Sequence, residues 1–316
     1  MSYLIVIGVT IAIYAMLTVA LNMVVGYAGQ PNLAQSAFLG LGAYFAAVLS
    51  TRYHLGFWWT IPVSFGVAGL AGFILGAISL RLREDFLAIT TIGLNFVVVA
   101  IFQYIPFFGG AVGIYSIPLP TIGARTFGNL DFLVVALLML ALVVAVSKYL
   151  EKTWLGASLT AVRDDESAAA SVGIPVASYK VVAFTLSAAF AGMAGSIYAP
   201  FLSAITPTSF GFTESVVILS MLIFGGSGTI RGALVGALVL GALPEVFRFI
   251  SNFRLLTYGA ILLLMLRFQP QGLLGEASAV SSLIGKVTAP ARRAADSRAN
   301  RRAGEGRTRD RGTPRN

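Results

Sequence analysis

Charged residues make up only 11% of this 316-residue sequence, against 57% hydrophobic, and that imbalance decides what the chain can fold into. A soluble domain carries about 25% charged residues. With a mean hydropathy of +0.84, this chain cannot cover a water-facing surface. A helix needs about 20 apolar residues to cross a bilayer, so a chain of this length suits roughly eight to ten spans. The expected fold is all-α: a polytopic transmembrane helix bundle of about 8–10 helices, one or more of them broken.

The apolar runs divide at turn-forming residues. The first covers residues 3–25 and ends at Gly26-Tyr27-Ala28-Gly29-Gln30-Pro31, a cluster that breaks helices. The second, residues 33–50, is rich in Ala34, Ser36, Ala37, Gly40, Gly42 and Ala43. Such small residues let helix backbones approach closely in lipid. Further runs lie at residues 58–80, 86–107, 132–150, 181–201, 212–224, 232–249 and 255–268, the last stopped by Pro270. Trp58 and Trp59 sit where an interfacial anchor belongs. The run Gly225-Gly226-Ser227-Gly228 reads as a helix break buried within the protein.

Charge distribution sets the orientation. From Glu276 onward there are ten Lys/Arg and four Asp/Glu, a net of +6 that leaves only +3 of the chain's +9 for the rest. The basicity therefore belongs to a tail and does not point to nucleic acid. The expected organisation is a transmembrane domain over residues 1–275 and a basic, disordered cytoplasmic tail over residues 276–316. Cytoplasmic loops carry the Lys/Arg excess. Arg81 and Arg83, then Lys148, Lys152, Arg163 and Lys180, then the tail, fall on that side. Three crossings before Arg81 put the N-terminus outside; a re-entrant second run would put it inside.

Several chemistries are excluded. No cysteine occurs and His54 is the single histidine, so thiolate sites, multi-His metal sites and a Ser/His/Asp set are not expected. No G-x-x-x-x-G-K-[S/T] is present, so the chain has no phosphate-cradling loop of its own. Neither a cofactor nor a metal is expected, and an enzyme is the least supported reading. An autonomous secondary transporter would need an intramembrane Asp or Glu. Glu214, before a span, and Glu245, near a helix end, read as interfacial instead.

Two groups of polar residues remain. In the polar stretch of residues 155–175, Leu155, Leu159, Val162 and Ala169 share one helical face, with Glu166 inside that stripe. Arg163, Asp164 and Asp165 flank it, and Gly173 and Pro175 end it. Such a helix has a face for something outside the lipid, or is a solvated connector. Within the spans lie Asn22, Gln35, Thr90, Thr91, Asn95 and Gln103. They face either a pathway or one another, because unpaired polar groups are costly in hydrocarbon.

Three stretches together resemble the LivM-type permeases of bacterial branched-chain amino-acid ABC importers. The first is Leu21-Asn22-Met23-Val24-Val25-Gly26-Tyr27-Ala28-Gly29-Gln30, followed by Ala37-Phe38-Leu39-Gly40-Leu41-Gly42-Ala43-Tyr44. The second is Ala161-Val162-Arg163-Asp164-Asp165-Glu166-Ser167-Ala168-Ala169-Ala170-Ser171-Val172-Gly173-Ile174, running into Tyr179-Lys180-Val181. The third is Gly225-Gly226-Ser227-Gly228-Thr229-Ile230-Arg231-Gly232, with Pro270-Gln271-Gly272-Leu273-Leu274-Gly275 downstream. The likeness runs over residues 3–275.

The resemblance implies that the membrane domain is a permease, one half of an importer channel in the bacterial inner membrane. Its expected partners are a second, similar permease, two cytoplasmic ATPases and an external substrate-binding protein. The expected solutes are leucine, isoleucine and valine; urea, short amides or other amino acids are the alternative. Arg163, Asp164, Asp165, Glu166, Ala168, Ala169 and Gly173 then look like the coupling helix that docks on an ATPase. Asn22, Gln30, Thr90 and Asn95 are expected near the solute pathway. Phe108 and Ser116 depart from the family's Thr and Gly in the external loop of residues 108–118.

Overall fold

The computed structural model describes residues 2–79, 84–122, 125–246, 259, 267 and 272–274. The basic tail, the loop holding Arg81 and Arg83, and nearly all of the run expected at residues 255–268 lie outside them. Ten α-helices occur among the described residues: α1 Ser2–Asn22, α2 Gln35–Arg52, α3 Phe57–Ser79, α4 Glu84–Tyr104, α5 Asn129–Lys152, α6 Trp154–Asp164, α7 Glu166–Ser171, α8 Val176–Leu202, α9 Phe212–Gly225 and α10 Ile230–Val246. The β-structure there is confined to two pairs of two-residue strands. The fold is a helical transmembrane bundle. Six helices are long and apolar enough to cross a membrane, and α10 adds a shorter apolar one.

The second run, α2, is not among those six, and its packing explains why. Almost all its residues are buried. It packs on both α8 and α3, which also pack on each other, and touches α4 and α9, so it is shielded from lipid and needs small side chains more than apolar ones. A methyl at Gly42 would stand 2.5 Å from the Gly192 Cα, and one at Gly195 would stand 2.6 Å from the Ala43 nitrogen. Along α8, Gly72 of α3 abuts Ala188, and Gly76 would meet Val181 at 2.9 Å. Glycine is required in these rows because backbone meets backbone.

At two places the chain doubles back into the bundle. The first helix widens into a π-turn over Met23–Tyr27. Gly29 takes a left-handed φ of +68°, which favours glycine, and Pro31 cannot donate to a continuing helix. The chain then runs without helix to Gln35, where α2 begins. After α8, residues 203–211 fold back inward, and the 3-10 turn Pro207–Phe210 leads into α9. Phe210 packs edge-on against Tyr44, 5.8 Å away in the middle of α2, so α9 starts well within the bilayer. Its 14 residues cover about 21 Å at 1.5 Å each, and only together with the turn before it does Pro207–Gly225 reach the length of the sixth candidate span.

The external loop closes over this region. Tyr44 stacks on Phe102 at 4.0 Å, and Phe108 packs edge-on against both rings. In the same loop Ser116 holds φ +56°, so the left-handed backbone is kept where the resemblance expects glycine.

The stretch expected to be cytoplasmic departs from the single amphipathic helix predicted for it. It forms two helices, because Asp165 takes an extended backbone and caps α7, accepting from the amides of Ser167 and Ala168. Leu159, Val162 and Ala169 are buried as the stripe anticipates, but across a corner.

Candidate functional site

Two places carry the polar chemistry of the bundle. The first is where α2 and α9 begin. Ser36 donates its amide to the Ser215 Oγ at 3.0 Å, and the two hydroxyls are 2.7 Å apart. The Ser36 Oγ also reaches the Phe210 and Gly211 carbonyls at 3.0 and 2.9 Å. From α4, the Asn95 Nδ2 donates to the Ser36 Oγ at 2.7 Å and the Ser215 Oγ at 3.3 Å. All three residues are buried. Next to them, Gln35 donates to the Leu17 carbonyl and accepts from Ser187, while Asn32 donates to Gln35. These bonds fasten the starts of two half-helices to α1, α4 and α8. Each contributes about 0.6 kcal/mol in a membrane.

The second place is the inner end of α1. In its π-turn, Val24 accepts from the Gln30 amide, and Pro31 has no N–H for Gly26. The Gly26 carbonyl accepts instead from the Arg163 guanidinium at 2.8 Å. Gly29 lies against the same side chain; a methyl there would stand 2.7 Å from the Arg163 Cγ. Gln30 donates to the Glu166 Oε1 at 3.2 Å, and Lys180 from α8 forms an ion pair with that same oxygen. Lys180 is only 8% exposed, whereas Glu166 is 40% exposed. The corner between α6 and α7 is thereby tied to residues 26–30.

The four residues expected near a pathway do not form one cluster. Asn95 joins the serine knot, and Gln30 joins Glu166. Asn22 accepts from the Gly228 amide at 2.8 Å, bridging α1 to the glycine turn before α10. Thr90 bonds to the Phe86 carbonyl of its own helix. Its neighbour Thr91 is buried and accepts from the Leu33 amide at 3.1 Å. The burial of Leu87, Thr91, Asn95, Val98 and Phe102 follows helical spacing, a signal that favours Thr91 over Thr90.

Among the expected coupling residues, Asp164, Asp165, Ala168 and Gly173 are exposed, Arg163 and Glu166 are half-buried, and Ala169 is buried. Gly173 has φ +86° and ends α7, a left-handed helix stop. Removing the other end should also show. Asp165→Ala is expected to cost about 1 kcal/mol, read as faster amide exchange confined to residues 166–171.

The two parts of the third stretch also meet. The Leu273 and Leu274 amides donate to the Phe224 and Gly225 carbonyls at 3.0 and 2.9 Å, and the Thr229 hydroxyl donates to the Leu274 carbonyl at 3.0 Å. Gly272, at φ +76°, lies directly on Gly226. The break between α9 and α10 is thus backed by chain from far downstream.

Broken half-helices pinned at mid-membrane, with an extramembrane hook tied to one of the breaks, define a multi-pass membrane permease subunit. Comparison with known proteins gives the family. Residues 3–267 match the family described as the permease component of branched-chain amino-acid transport systems. The chain belongs to that family and is a multi-pass membrane protein. It is 36% identical to the high-affinity branched-chain amino-acid permease LivM of Escherichia coli over 83% of this chain and 68% of that one. A LivM-type relative in Methanocaldococcus jannaschii is 24% identical over 84% of this chain and 91% of its own. An L-arabinose permease, AraH of Azospirillum brasilense, is 27% identical over 76% and 72%. No solved structure matches.

Proposed function

We propose that this chain is one of two permease subunits of an ATP-driven importer for leucine, isoleucine and valine. ATP is hydrolysed on two separate cytoplasmic subunits, and an external binding protein delivers the solute. The observation that carries this reading is the tie between the α6–α7 corner and the broken end of α1. Arg163 and Glu166 hold residues 26–30, while Ala168 and Ala170 on α7, and Val172 just past its end, turn outward. Val172 is 76% exposed, beyond the expected depth of the lipid. A partner seated on it would move the corner, and the corner would move the break from which α2 starts.

The test separates docking from folding. Val172→Asp leaves Arg163, Glu166 and Lys180 untouched. An ATPase and a second permease should copurify with the native chain, and Val172→Asp should lower ATPase recovery about tenfold, the effect of losing roughly 1.4 kcal/mol. Vesicles holding the assembled complex should take up leucine only with ATP and binding protein. Unchanged ATPase recovery in the variant would remove α7 as the docking element. Uptake of urea or a sugar in place of leucine would overturn the solute assignment alone.

A further inference from the structure

Glu214 reads from the sequence as an interfacial carboxylate preceding a span. The structure sets it against the middle of a candidate span. It lies in the first turn of α9, which begins only after the chain has folded back to the level of Tyr44. Its side chain is held by the Tyr14 hydroxyl. Tyr14 is near the centre of the span Tyr3–Tyr27, so two independent markers give the same depth. The missed signal is the break itself, Pro207 with Gly211, which shortens the helix and carries its start inward.

A carboxylate at that depth needs compensation. The N-terminal end of a helix favours negative charge, and Tyr14 satisfies one acceptor position of the several a carboxylate offers. Among the described residues no lysine or arginine pairs with Glu214. Yet the side chain is half-buried, not enclosed. A carboxylate facing lipid is strongly disfavoured, and intramembrane acids face a polar path or a partner. Thr213, next to it in the first turn of α9, is exposed.

We propose that Glu214, steadied by Tyr14, is the counter-charge in the solute pathway for the ammonium group of an α-amino acid in transit. This inference rests on the importer reading above and adds the residue that recognises the cationic end of the solute. The pathway then runs along the edge of α9 shared with α1. The buried Ser36–Asn95–Ser215 knot lies behind it as the support that fixes where α9 begins.

The chain has no cysteine, so Glu214→Cys introduces a single thiol whose labelling can be followed on this subunit by mass. In the assembled complex, the probe is 2-aminoethyl methanethiosulfonate, a cationic thiol reagent. Glu214→Cys should react at least about tenfold faster than Leu138→Cys, an exposed apolar position in the middle of α5, and leucine with binding protein should slow it. Separately, Glu214→Gln should lower leucine uptake about tenfold or more, on the order of one charge-assisted hydrogen bond. Glu214→Asp should recover part of it, and complex recovery should be unchanged. A Glu214→Cys thiol that reacts no faster than Leu138→Cys, or that leucine does not protect while the native complex transports, overturns the proposal. If the native complex shows no ATP-dependent leucine uptake, the importer reading itself fails, and the labelling still reports whether Glu214 faces water.

Discussion

Gly192→Leu is expected to leave no folded protein, and Gly42→Leu to do the same. These glycines meet where α2 and α8 touch backbone to backbone. A Cβ at position 42 would stand 2.5 Å from the Gly192 Cα, and one at position 192 would overlap Ala68 and the Ser64 carbonyl. No flexible side chain is available to move aside, so one helix must be displaced along its length. Overpacking by a few carbons costs about 1–3 kcal/mol where side chains can adjust, and more where they cannot. Total stability is only about 5–15 kcal/mol. Even Gly192→Ala should lower the melting temperature seen by heat challenge and fluorescence-detected size exclusion. Gly66 is the control. It lies on α3, where an added methyl would meet nothing within 4 Å, and Gly→Ala in a helix stabilises by about 1 kcal/mol. A monodisperse Gly192→Leu chain melting with the native one would refute the close-packed core.

The second large effect is an asymmetry between the two members of an ion pair. Glu166→Ala should damage the protein more than Lys180→Met. The Lys180 ammonium is nearly enclosed, so losing its carboxylate leaves a buried, unpaired charge. Glu166 is 40% exposed and can turn to water when Lys180 is removed. Breaking a buried pair costs about 3–5 kcal/mol; the exposure of Glu166 scales the loss down, to about 1–3 kcal/mol for Glu166→Ala and under about 1 kcal/mol for Lys180→Met. Glu166→Ala also releases Gln30, so uptake should fall beyond the loss of stability, with ATP still hydrolysed by the complex. Glu166→Gln, which keeps an acceptor for both partners, should restore much of the uptake. Equal melting and equal uptake for the two single variants would show that the corner is not tied to residues 26–30 as described.

The membrane bundle was legible because lipid imposes a simple rule. Runs without charge must be helical spans, and the breaks at residues 26–31 and 225–228 announce themselves through Gly and Pro. Residues 161–174, proposed above as the coupling stretch, carry part of the resemblance, and the family membership agrees with that likeness. Details that depend on a helical face were less accessible. Thr90 and Thr91 are adjacent in sequence, and only the burial of Asn95 and Leu87 picks out the second. The corner at Asp165 was hidden because an aspartate serves equally in a solvated helix face and as a helix cap.

By itself, the sequence determined the solvent, the helical class and the places where helices break, since these depend on local composition. Only the tertiary structure decided what the breaks do. It joined the Gly26 carbonyl to Arg163, Gln30 to Glu166, and the starts of α2 and α9 through Ser36 and Ser215. It also set Glu214 against Tyr14, near the centre of a candidate span. Those pairings link residues more than a hundred positions apart. They follow from which helices pack together and at what depth each half-helix begins, quantities that a one-dimensional pattern of apolar and polar residues does not contain.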